Sequence, residues 1–220
     1  MTIEQILAPS VPTLLPTDTG AHALSLMMDN NLTQLPLVDD ENYLALVSED
    51  DILESDDHDA PLNKGDFLDY KPAVPADGHP NDAIRIAHQQ NLSVIPVVDK
   101  DNKYIGAVTT DSLLDYVAES SGMEIPGAII VIEVEPRNYT LYGIARTFEN
   151  EDAIIISTQL YTNRQTNKLE VTVKCNRTDV SGIVSTLELN NYKILEVFGS
   201  SSNPEDTIDR YNLLMNYLNM

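Results

Sequence analysis

The 220-residue chain is 42% hydrophobic and carries 35 acidic against 13 basic residues, a formal net charge of −22. That apolar content in regular periodicity predicts a folded chain with room for one or two cores, while the negative field repels phosphates and anionic lipid, excluding nucleic acid and membrane surfaces as expected partners. No run of eighteen apolar residues and no charged-then-apolar leader is present, so the expectation is a soluble, cytoplasmic protein.

The chain opens with Met1-Thr2-Ile3-Glu4-Gln5, which reads as a capped helix start, Thr2 with Gln5. Residues 21–31 place Leu24, Met27 and Met28 on one helical face. Leu35-Pro36-Leu37-Val38 is continuously apolar and predicts a strand buried on both faces, with Pro36, which cannot donate to a ladder, at its start. The turn-rich Asp39-Asp40-Glu41-Asn42 leads into a second strand at residues 43–47. Ser48 then stands where a helix begins, followed by Asp51-Ile52-Leu53.

Sixty positions later the pattern is written again. Ala83, Ile86 and Ala87 repeat the helical spacing, and Ile95-Pro96-Val97-Val98 repeats the buried strand. The turn Asp99-Lys100-Asp101-Asn102 leads to a strand at 104–108 and to Thr109 with Ser112-Leu113-Leu114. Two tandem units of this kind are expected to fold face to face and bind a ligand in the clefts between them. The Gly/Pro-punctuated stretch 120–127 marks a boundary.

Beyond it, 128–134 is β-rich, and Leu141, Ile144, Ala145 and Phe148 form a helical stripe. A strand begins at Ala153-Ile154-Ile155-Ile156, and the next alternates Leu169, Val171 and Val173 against polar residues, placing Cys175 inward as a packed core residue. Thr178 is expected to cap a helix carrying Val180, Ile183, Val184 and Leu187, before a last strand at 192–198. The order βαββαβ predicts a ferredoxin-like arrangement. Residues 201–220 read as an amphipathic C-terminal helix with Ile208, Tyr211, Met215 and Leu218 on one stripe.

Across residues 1–120 the sequence resembles the cystathionine-β-synthase (CBS) domain family, which occurs as tandem pairs. The strings Leu35-Pro36-Leu37-Val38-Asp39 and Ile95-Pro96-Val97-Val98-Asp99 and the endings Ser48 to Asp51 and Thr109 to Ser112 carry the resemblance. It implies an α/β fold with a pair at 1–122, repeat one at about 1–60 and repeat two at about 61–120. It also implies a non-catalytic regulatory protein that senses an adenosine-containing molecule, such as AMP or S-adenosylmethionine. In that family Ser48 and Asp51, with Thr109 and Ser112 in the second repeat, would hold the ribose, and the base would lie against Gln34, Leu35 and Pro36 or Val94, Ile95 and Pro96. The second repeat departs from the pattern in having Ser112 where a carboxylate is expected. Ser48 and Thr109 also suit helix N-caps without any ligand, and Asp51 suits the positive end of the following helix.

Residues 123–200 resemble the ACT domain, a small regulatory module, through element order. That resemblance implies an amino-acid site at the first turn, here Arg137 and Asn138, where Asn138 can adopt the left-handed conformation a glycine would. The layout is that of acetoin-utilisation-type CBS proteins and implies a homodimer acting on a separate, unidentified protein target. The alternative is a dimerisation scaffold whose clefts have decayed.

Charge is uneven: 23 acids against 5 bases in residues 1–127, and 12 against 8 in 128–220. Ligands with little negative charge are therefore expected over a triphosphate. The acid-rich stretch from Glu49 to Asp59 is read as a solvated face, with no metal expected. Catalytic motifs are absent, and none of the four histidines has a patterned partner.

Overall fold

The computed structural model describes residues 1–199, and the helix expected at 201–220 lies outside them. The chain divides into two compact units, Met1–Ala118 and Glu119–Met220.

In the first unit, Thr19 caps helix α1 (Gly20–Asn30) by accepting from the His22 N–H. Asn31 closes the helix in the left-handed conformation, φ 53°, a role asparagine fills because its short side chain tolerates that region. Strands β1 (Gln34–Asp39) and β2 (Asn42–Ser48) pair antiparallel and lead into the short α2 (Glu49–Leu53). The second repeat rebuilds this sequence. Strand β3 (Val74–Pro75) precedes α3 (Pro80–Gln90), which Asn91 closes at φ 54°, and β4 (Val94–Val98), β5 (Tyr104–Thr109) and α4 (Thr110–Ser120) follow. Both β1 and β4 are buried on both faces over their apolar residues, as the unbroken apolar runs predict.

The two prolines stand third in their strands, deeper than predicted. Pro36 is tolerated because Leu14 bonds around it: the Leu14 N–H donates to the Pro36 carbonyl and the Val38 N–H to the Leu14 carbonyl, both at 2.8 Å. Pro96 likewise precedes the parallel pairing of β3, which begins at Val97. In each case the ladder does not call on the missing N–H. Met28, expected inward, is 79% exposed. The buried stripe is Ala23 and Met27, flanked by Leu24 and Leu26, since neighbouring helical residues point about 100° apart and only one of the methionines can face the core.

Each repeat is completed by a segment from elsewhere in the unit. The Thr2–Gln5 capping box forms, but on a single 3-10 turn, Ile3–Ile6. That turn covers the second repeat: Ile3 is fully buried with Val74, Ile95 and Val97, and its N–H donates to the Gly78 carbonyl. Another 3-10 turn, Asp66–Asp69, covers the first repeat with Phe67 and Leu68, and the Tyr70 carbonyl accepts from the Leu46 N–H of β2.

The second unit runs β6 (Ile129–Val134), α5 (Leu141–Asn150), β7 (Ile155–Thr162), β8 (Leu169–Cys175), α6 (Ser181–Leu189) and β9 (Lys193–Phe198). Its antiparallel sheet has the order β7-β8-β6-β9, the ferredoxin-like topology expected from the element order. Cys175 is buried beside Val171 and Val173, where strand alternation put it. Three local expectations change. Leu141 is 48% exposed, and the buried stripe of α5 is Ile144, Thr147 and Phe148. Helix α6 starts later than Thr178, and Asp179 Oδ1 accepts from both the N–H and the O–H of Ser181. Asn138 sits in a right-handed 3-10 turn, Pro136–Asn138, its N–H donating to the Glu135 carbonyl, and is absent from the positive-φ residues.

Candidate functional site

The two repeats of the first unit meet about an approximate two-fold relation that pairs equivalent residues with one another. The hydroxyls of Thr33 and Ser93 lie 3.0 Å apart. At another point of the same junction the rings of Tyr43 and Tyr104 stack with centroids 6.4 Å apart. The Tyr104 N–H donates to the Glu41 carbonyl, and Lys103 pairs with the Glu41 carboxylate. The symmetry breaks at Gln34, whose equivalent is Val94. Gln34 Oε1 accepts from the Ser93 N–H at 2.9 Å, so this side chain, expected beside a ligand base, is engaged in joining the repeats.

Burial pushes the Tyr104 phenol up to about 12 and raises Tyr43, whose hydroxyl donates to the Pro72 carbonyl, still further. The folded chain thus holds the Tyr104 proton above its ordinary 10. This stabilisation is present below pH 10 and is lost as pH rises from about 10 to about 12. Alkaline unfolding followed by tyrosinate absorbance is expected to release these two phenols with the unfolding transition. Replacing Tyr104 by Phe removes its part of the pH dependence in that window.

The predicted ribose residues close on one another at the helix starts. In the first repeat Ser48 Oγ accepts from the Asp51 N–H at 3.1 Å, while Asp51 Oδ2 accepts from the Ser48 N–H at 2.9 Å and from the Ser48 hydroxyl at 2.6 Å. This is a reciprocal capping box. In the second repeat Thr109 Oγ1 accepts from the Ser112 N–H, and the Ser112 hydroxyl accepts from the Thr109 N–H while donating to the Thr109 carbonyl. The two ends differ in what remains available. Ser112 has one hydroxyl that already donates and accepts, whereas Asp51 uses a single oxygen and leaves Oδ1 without a protein partner among the described residues.

One residue that local patterning did not single out feels the Asp51 charge, and it is tied to a second. Burial, and then the Asp51 charge, raises the Tyr70 phenol, and the Tyr70 hydroxyl donates to Gln90 Oε1 at 2.9 Å. Tyr70, from the segment connecting the repeats, thus links to the end of α3 through Gln90 and lies within the field of the first repeat's Asp51. The sequence signal for Tyr70 is slight, an aromatic residue in the mixed stretch Phe67-Leu68-Asp69-Tyr70 before Lys71-Pro72. Of the other predicted contacts, Leu35 and Pro36 follow Gln34, which pairs with Ser48 across β1 and β2, and Ile95 and Pro96 follow Val94, which pairs with Thr109 across β4 and β5; Leu35, Pro36, Val94, Ile95 and Pro96 are all buried. Arg137 and Asn138 are exposed at the β6–α5 turn of the second unit. Among the described residues, no three His, Cys, Asp or Glu side chains converge as a metal site, and no helix is long and apolar enough to cross a membrane.

The family model of the CBS domain matches the chain twice, at residues 3–57 and 65–119. Similar solved structures include a CBS domain pair/ACT domain protein from Thermotoga maritima, 21% identical with a TM-score of 0.48 over 54% of this chain and 98% of that one. A protein from Vibrio cholerae assigned to acetoin utilization is 22% identical, TM-score 0.49, over 56% of this chain and 95% of that one. CBSX2 in complex with AMP is 23% identical, TM-score 0.46, over 54% and 96%. With the family model matched by each of two successive repeats and together by half of its residues, the chain belongs to the CBS domain family.

Proposed function

We propose that this is a non-catalytic regulatory protein whose CBS pair senses an adenosine-containing small molecule at the first repeat and signals to a separate protein target. The observation that carries the reading is the free Oδ1 of Asp51, held in place by the two bonds that Oδ2 makes to Ser48. A carboxylate so fixed can accept from ribose hydroxyls with charge-assisted strength, and the Tyr70 phenol feels its charge. The second repeat offers no equivalent acceptor at Ser112. Glu49 and Asp50 next to Asp51 favour ligands of low negative charge. Titration calorimetry with adenosine, S-adenosylmethionine, AMP and ATP tests this. At least one of the first three is expected to bind, and more tightly than ATP. The reading fails if none binds or raises the melting temperature at millimolar concentration.

The scaffold reading then takes its place, favoured by the way Ser48 and Asp51 satisfy each other without a ligand. In either case we infer a homodimer. Met28, Leu53 and Leu114 on three helices of the pair are 79%, 56% and 65% exposed, and apolar surface of this kind is commonly buried between subunits. Light scattering is expected to return about twice the chain mass of 24.4 kDa, and a single-chain mass at micromolar concentration contradicts it. The second unit is read as an ACT-like regulatory module, with Arg137 and Asn138 at its first turn as candidate contacts.

A further inference from the structure

The second unit carries a concavity of about 450 Å³ lined by Tyr142, Arg146 and Asn150 of α5 and by Asn190 and Tyr192 after α6. The three α5 residues recur at intervals of four and so share one stripe of the helix. Among the described residues the Arg146 guanidinium, the Asn150 amide and the Tyr192 hydroxyl make no hydrogen bond and no ion pair. Asn190 already donates to the Thr186 carbonyl. No carboxylate lines the pocket, although the chain has 35 acidic residues.

The Tyr192 position is built rather than incidental. A Cβ on Gly143 would lie 2.7 Å from the Tyr192 hydroxyl oxygen, so glycine lets the phenol settle against the first turn of α5. Its ring meanwhile packs on the core of the unit, which fixes the hydroxyl at the pocket. A planar guanidinium fork, an amide and a phenol that all lack acceptors form a donor set suited to a carboxylate or phosphate group. We propose that this pocket is a second ligand site, taking a small organic oxyanion, either a carboxylate or a phosphate monoester. Arg146 would hold it in bidentate fashion, with Asn150 and Tyr192 donating. The site is independent of the adenosyl reading and separate from the turn at Arg137 and Asn138.

Titration of the isotope-labelled full chain with acetate, succinate and inorganic phosphate, followed by NMR, tests the assignment. Saturable shifts of the Asn150 side-chain amide and the Arg146 guanidinium are expected with at least one of the three, and which one responds separates carboxylate from phosphate. Arg146→Gln is expected to weaken that binding roughly tenfold or more, and Tyr192→Phe, which keeps the ring packing, roughly three- to tenfold. Arg164→Gln, which removes the same charge from the β7–β8 turn, and Asp51→Ala are expected to leave it unchanged. The proposal is overturned if none of the three anions gives a saturable shift at millimolar concentration, or if Arg164→Gln weakens binding as much as Arg146→Gln.

Discussion

Asp51→Ala is expected to weaken adenosyl-ligand binding roughly ten- to a hundredfold, the equivalent of about 1.5 to 3 kcal/mol for a lost charge-assisted pair. The same change removes the acceptor for the Ser48 N–H and O–H and so costs about 1 kcal/mol of stability through the start of α2. Two variants separate these effects. Ser112→Ala breaks the corresponding cap of the second repeat, where the hydroxyl accepts from the Thr109 N–H. It is expected to cost about 1 kcal/mol of stability with no change in affinity. Asp51→Asn keeps an oxygen for Ser48 while removing the charge, and is expected to fall between wild type and Asp51→Ala in affinity. Calorimetric titration and thermal melts of the three variants give both readouts. If Asp51→Ala lowers the melting temperature yet binds as wild type does, Asp51 is a helix cap and nothing more.

Phe148→Ala is expected to have the largest effect on stability, about 3 to 5 kcal/mol. Phe148 is fully buried on α5 among Ile130, Ile132, Ile144 and Leu187. For a unit of this size such a loss corresponds to a fall in melting temperature on the order of 15 °C or more. The first unit has cores of its own, around Leu35 and Leu37 and around Ile95 and Val97. Binding of the adenosyl ligand should therefore survive at temperatures where the second unit of the variant has melted. Scanning calorimetry with titration above and below the lowered transition checks this, and loss of binding together with that transition would mean the units unfold as one.

The sequence by itself determined the repeated unit, the two strands buried on both faces and the βαββαβ order. Each of these rests on local periodicity: unbroken apolar runs at 35–38 and 95–98, and alternation at 169–175 that turns Cys175 inward. It also determined that Ser48 and Asp51 would stand together, because three positions at a helix start always do. Where it erred was over which apolar residues of a helix meet a partner. Met28 and Leu141 are turned outward because a helix has one buried face and its rotation is set by what packs against it. Only the tertiary structure brought Ile3 under the second repeat and Tyr70 within the field of Asp51, since those placements depend on where the chain crosses between repeats. The same holds for Tyr192 beside Arg146 and Asn150: an interval of four puts the last two on one stripe of α5, but no sequence spacing connects them to Tyr192. They share a pocket because α5 and the end of α6 pack on one side of one sheet, a consequence of topology that no local pattern encodes.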